Sequence, residues 1–167
     1  MNSRSFAKIY EKNVDQIYRF VFLKVNSEAL AQDITSETFL RCLKSLKNNS
    51  KIDNIRAFLY QIAKNLVIDF YRRKPAEALS LEGISAEFAD EKSEDFAVRL
   101  ANYSELDTVK KALGGLKEDY AEAIILHYLD DLSVPEIAEI TGRNEGAVRV
   151  ILHRGLKSLR GIMNHES

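Results

Sequence analysis

Phe6, Ile9, Tyr10, Val14, Ile17, Val21 and Val25 recur every three or four positions, the spacing that gathers side chains on one face of an α-helix. The period returns in Leu30, Ile34, Leu43 and Leu46, behind Ser27 as N-cap, which predicts a second helix over about 28–47. A third is expected from about Ile55 to Arg73, after the polar, turn-rich loop KNNSKIDN (47–54). Lys74-Pro75 should end it, because the residue before a proline is pushed away from helical geometry. In KKALGGLKEDYAEAIILHYLDDL, Gly114-Gly115 is expected to break one helix from the next, and Asp130-Asp131 to mark the end. No segment alternates with period two, and only two prolines and seven glycines interrupt 167 residues. The expected fold class is therefore all-α. Two small helical domains, 1–75 and 108–167, should flank an acidic connector over 76–107 with a loose helix near Phe96–Leu106.

With 46% apolar residues the chain can bury a core. The single cysteine, Cys42, excludes an internal disulfide and a cysteine-based zinc site, and its apolar helical surroundings predict ordinary packing. The opening MNSRSFAKIYEKN lacks the apolar region of a signal peptide. No apolar run approaches the roughly 18 residues of a spanning helix, so a soluble cytoplasmic protein without membrane insertion is expected.

The net charge of −1 conceals a partition. Residues 1–75 carry 14 Lys/Arg against 7 Asp/Glu, whereas 76–108 carry 2 against 9. Within the last segment, 143–160 holds five basic residues and one acidic. Two basic surfaces flanking an acidic connector suggest two contacts with a polyanion.

The second of these surfaces lies in SVPEIAEITGRNEGAVRVILHRGLKSLR. Ser133 and Glu136 have the S-x-x-E spacing of a capping box, and Pro135 in the first turn loses no intrahelical bond. A two-turn helix, Val134–Thr141, carries the small Ala138 that a close crossing needs. Gly142 supplies the turn and Asn144 the next cap. In the helix that follows, Val148, Ile151, Leu152, Gly155, Leu159 and Ile162 share one face; Arg149, His153, Arg154, Lys157 and Arg160 fall on the opposite half. This is the pattern of a helix-turn-helix whose second helix enters a major groove. Arg149, near its start, would fork onto a guanine edge, while residues further along reach phosphates; the expected DNA-contact set is Glu145, Gly146, Arg149, Val150, His153, Arg154 and Lys157.

In IRAFLYQIAKNLVIDFYRRK, rings (Phe58, Tyr60, Phe70, Tyr71) interleave with cations (Arg56, Lys64, Arg72, Arg73). Unpaired bases stack on aromatics while phosphates meet cations. Phe58 and Phe70 read as core; Tyr60 and Tyr71 suit a core or a stacking platform equally.

Over almost its whole length the sequence resembles the extracytoplasmic-function group of bacterial sigma factors. In that family a segment reading acidic-x-x-Gln-Glu-x-Phe precedes Trp-Leu-x-x-Ile-Ala-x-Asn-x-x-x-Asp-x-x-Arg-Arg; here stand DITSETFLR (33–41) and FLYQIAKNLVIDFYRR (58–73). The family's domain 4 resembles 132–160 at nearly every motif position. The resemblance implies that Asp33, Ser36 and Glu37 meet the clamp of the polymerase's largest subunit. Asn65 would belong to the pocket for a base flipped from the minus-ten element, with loop 47–54 shaping it and Arg56, Tyr60, Lys64, Arg72 and Arg73 around it. Arg149 and Arg154 match basic positions of the helix that reads the minus-thirty-five element. Core RNA polymerase (clamp and the flap of the second-largest subunit), promoter DNA and an anti-sigma protein are the implied partners. Ser36 stands where glutamine is usual, shortening or losing one clamp hydrogen bond. Phe58 replaces the tryptophan, keeping a ring and losing its N–H donor.

No enzyme site is legible: there is no glycine-rich phosphate loop, no H-E-x-x-H and no nucleophile with an obvious base. His127, His153 and His165 lack ligand spacing. Neither catalytic residue, metal nor cofactor is expected. The rival reading is a stand-alone helix-turn-helix regulator whose first domain dimerises or senses a ligand.

Overall fold

The computed structural model describes residues 3–87 and 106–166, apart from Asn26 and Asn49. Among these residues there is helix and connecting turn but no strand. The chain divides into two compact units, Met1–Asp90 and Glu91–Ser167. The loose helix expected near Phe96–Leu106 falls, up to residue 105, outside the described residues.

The first unit holds α1 (Ser3–Phe22), α2 (Glu28–Lys47) and α3 (Ile55–Glu87). Ser27 caps α2 as expected, its hydroxyl accepting from Leu30 N at 3.2 Å. In the next loop Asn54 Oδ1 accepts from Ala57 N at 3.0 Å, opening α3. Each helix turns its periodic face inward. Val14, Ile17, Phe20 and Val21 of α1, Leu30, Ile34, Phe39 and Cys42 of α2, and Leu59, Ala63 and Val67 of α3 are all buried where the three helices pack together. The wholly enclosed Ala31, Ala57 and Ala63 occupy little space between helices, which lets α2 and α3 pack extensively. Thr35 and Thr38 enter this core without an unmet hydroxyl, each donating to the carbonyl one turn back at 2.7 Å.

α3 does not stop at Lys74-Pro75; it continues to Glu87. A proline inside a helix removes one hydrogen bond and favours a kink, but it does not oblige the chain to leave helical geometry. Beyond it stand Ala76, Glu77, Ala78, Leu79, Leu81 and Glu82, residue types of high helix propensity.

The second unit comprises α4 (Leu106–Gly114), α5 (Glu118–Ile124), α6 (Val134–Thr141) and α7 (Glu145–Glu166). The Gly114-Gly115 break lies where expected. Unforeseen is a π-helical turn, Ile125–Leu129, that extends α5. Behind it the backbone closes through Asp130 N to Ile125 O (3.0 Å) and Leu132 N to Leu126 O (2.9 Å). Asp131, at φ 56°, turns the chain out of the helix, and His127 Nδ1 lies 2.8 Å from the Leu132 carbonyl. Leu132 is buried, as are Ile125, Leu126 and Ile137, immediately before the helix-turn-helix begins.

Candidate nucleic-acid and polymerase interfaces

The helix-turn-helix is built as its residues dictate. Ser133 Oγ accepts from Glu136 N at 3.2 Å while Glu136 Oε1 accepts from Ser133 N at 3.1 Å, a complete capping box. Gly142, at φ 71°, takes the left-handed conformation that ends α6, and its N–H returns to Ala138 O at 2.9 Å. Asn144 Oδ1 then accepts from Ala147 N at 2.7 Å and starts α7. At the crossing of α5 and α7, Gly155 comes so near that a Cβ would lie 3.2 Å from both Ile124 Cδ1 and Tyr120 Cβ. Arg143 ties the turn to α5 through Asp119 at 2.9 Å. These contacts hold α7 rigidly by its inner face, where Val148, Leu152 and Gly155 are buried and Ile151, Leu159 and Ile162 half-buried.

The opposite face is open. Glu145, Gly146, Arg149, Val150, His153, Arg154, Lys157 and Arg160 are all exposed, so every residue expected to meet the minus-thirty-five element is on the surface of α7. Val150 is a large apolar side chain left 45% exposed among cations. Arg149 Nη2 lies 3.5 Å from Glu145 Oε1, with side chains 64% and 50% exposed. Such a face can offer fork-shaped donors, an acceptor and an apolar contact to a groove, with cations for phosphates on either side.

On α3, Asn65 and Arg72 are exposed and, seven residues apart, stand on one line of the helix. Phe58 extends that line by another seven, and its ring, read from the sequence as core, is half-buried rather than fully packed. Arg73 is exposed, and Arg56 and Lys64 are half-buried. Tyr60 requires a correction. Its ring is 0% exposed and meets Phe20 edge-on at 5.3 Å, so it belongs to the core and cannot stack on a base in this structure. Burying a phenyl-sized group contributes roughly 1.5–3 kcal/mol whether or not DNA is present, which decides for packing. Tyr71 is exposed, but its hydroxyl donates to Lys24 O at 2.6 Å, fastening this stretch of α3 to the α1–α2 connection.

On α2, Asp33, Ser36 and Glu37 lie within one sector of the helix. Glu37 Oε1 receives Arg41 Nε at 2.9 Å, and Ser36 is exposed. Asp33 is half-buried, and its Oδ2 is enclosed without a hydrogen-bond partner among the described residues. That desolvation raises its pKa from 3.8 to about 6. Sequence reasoning passed over Leu40, which stands seven residues beyond Asp33 on the same line and is 44% exposed. The signal was its register: a leucine in phase with Asp33 and Glu37 is out of phase with Ile34 and Phe39.

No helix among the described residues is long and apolar enough to cross a membrane. The Sigma-70 region 2 family model matches residues 9–76, and that of Sigma-70, region 4 matches 106–159. The ECF RNA polymerase sigma factor SigW of Bacillus subtilis is 32% identical over 165 residues, which cover 93% of this chain and 87% of the relative. The ECF RNA polymerase sigma factor BldN of Streptomyces coelicolor is 32% identical over 163 residues, covering 95% of this chain but 60% of the relative's length. Among solved structures, the sigma factor RpoE in complex with the anti-sigma factor NepR from Bartonella quintana shares the fold, with a TM-score of 0.70 at 20% identity, covering 96% of this chain and 98% of that one. With both regions matched in order and an identity of 32% across most of SigW, the chain belongs to the extracytoplasmic-function group of RNA polymerase sigma factors, the subunits that direct that enzyme to promoters.

Proposed function

We propose that this protein binds core RNA polymerase, brings it to specific promoters and helps melt the minus-ten region, working in the cytoplasm and performing no catalysis of its own. Residues 1–75 take the polymerase and minus-ten contacts, 76–107 form the connector, and 108–167 contact the minus-thirty-five element. The observation that carries this reading is α7, capped at Asn144, locked at Gly155 and exposing its cationic face, joined in one chain to a region-2 match. Asp33, Ser36, Glu37 and Leu40 would dock on the clamp of the largest subunit, with the flap of the second-largest subunit engaging residues 108–167. Asn65, with Arg72 and Arg73 near it, would hold the displaced minus-ten strand, and Arg56 and Lys64 its phosphates. An anti-sigma protein is a second proposed partner, since RpoE of Bartonella quintana is found in such a complex.

A stand-alone regulator would need no polymerase, and it gives no reason for the region-2 match over 9–76. Gel filtration of the full chain with purified core polymerase separates the two. Co-elution as a stoichiometric complex is expected; separate elution, with duplex DNA bound by the free chain, would favour the regulator.

A further inference from the structure

Glu145 is the one acidic residue between positions 143 and 160, on a helix whose exposed residues also include Arg149, Arg154, Lys157 and Arg160. A carboxylate there is repelled by the phosphates the cations attract, so its presence weakens non-specific binding. In the structure it is exposed, stands in the first turn of α7, and lies 3.5 Å from the Arg149 guanidinium one turn further on. The pair places an acceptor-only group beside a donor-only fork, both exposed at the N-terminal end of α7.

In the major groove the base donors are cytosine N4 and adenine N6, and adenine sets its N7 acceptor beside that donor, where it would repel a carboxylate. Cytosine does not, and its paired guanine offers O6 and N7 to an arginine. Resting on the minus-thirty-five reading above, we propose that Glu145 is a specificity-determining residue: its carboxylate accepts from a cytosine N4 amine and indexes Arg149 onto a guanine of the same or the adjoining base pair. The same carboxylate rejects thymine O4 and guanine O6 at the cytosine position by repulsion, so discrimination comes from exclusion as well as attraction.

The test is transcription by reconstituted holoenzyme from a library randomised across the minus-thirty-five element, with transcripts sequenced for Glu145→Ala, Glu145→Asp, Glu145→Gln and Arg149→Ala. Glu145→Ala should flatten a cytosine preference at one position by about tenfold. Glu145→Gln should move that preference toward adenine, whose N6 and N7 suit an amide. Glu145→Asp keeps the charge at the helix start but shortens the reach, and should flatten the position as alanine does. Full restoration by aspartate would overturn the proposal, since charge at the helix end would then suffice. An unchanged base profile in all three Glu145 variants, with Arg149→Ala altering it, would overturn the proposal and leave the minus-thirty-five reading standing. A profile unmoved by every variant, Arg149→Ala included, would overturn both.

Discussion

Ser133 and Glu136 cap each other at the start of α6, the hydroxyl accepting from Glu136 N at 3.2 Å and the carboxylate from Ser133 N at 3.1 Å. Both are near the surface, yet they fix the angle at which α6 leaves the buried Leu132. Ser133→Ala should therefore lower the stability of the second unit by about 1 kcal/mol. Urea denaturation of the full chain, followed by circular dichroism, measures the change; an unshifted midpoint would mean that the box contributes nothing.

Asp33 is the residue at which stability of the free protein and the proposed polymerase contact should pull apart. In the unfolded chain its carboxyl ionises near 3.8, whereas burial raises it to about 6 in the folded protein. Between those values the unfolded state loses its proton first, so this group's contribution falls as pH rises through that window and stays low above it. At pH 7 Asp33→Asn should stabilise the free protein, by about 1 kcal/mol or less once solvent screening of a half-exposed group is counted. The same substitution should weaken association with core polymerase, as should Leu40→Ser, because one removes charge from the proposed docking face and the other its apolar side chain. Thermal melts at pH 4 and pH 7, beside core-binding titrations, check both halves. A variant more stable and equally tight would remove Asp33 from the interface.

Caps, breaks and faces were legible from the sequence because they are local. Ser27, Ser133, Gly142 and Asn144 act within four residues of themselves, and the division of α7 into Val148–Leu152 and Arg149–Arg154 sides follows from the helical period alone. What escaped depended on neighbours distant in sequence or on competing local preferences. Tyr60 goes inside because Phe20, forty residues earlier, meets its ring. Leu40 stays outside because the core is filled from adjacent registers by Phe39 and Cys42. Pro75 sets one lost hydrogen bond against a run of good helix formers, a contest of magnitudes that a proline rule does not weigh. The π-helical turn at Ile125–Leu129 has no residue signature in IILHYL; its closure depends on Asp131 and the Leu132 carbonyl beyond it.

Promoter melting and duplex reading should separate. Asn65→Ala removes an exposed amide from α3 and leaves α7 untouched. Binding of the holoenzyme to the minus-thirty-five element should persist while open complexes decrease, because flipping a base costs a few kcal/mol that the pocket must return. Permanganate footprinting checks this; a bubble equal to wild type would take Asn65 out of the pocket.

Lys157 is exposed two turns beyond Arg149. Its replacement by alanine should weaken binding to all sequences alike and make the salt dependence shallower by about one phosphate contact. Holoenzyme affinity for two unrelated promoters across a salt series is the measurement. Loss confined to one promoter would give Lys157 a base-reading role instead.

The central claim, that this chain gives RNA polymerase its choice of promoter, is tested most directly by run-off transcription from a fully randomised promoter library with core polymerase alone and with the chain added. The account predicts new transcripts, appearing only with the chain, whose templates share one minus-ten and one minus-thirty-five sequence, the latter changed by Arg149→Ala. Identical transcript pools with and without the chain, under conditions where a known sigma factor activates the same core enzyme, would contradict it.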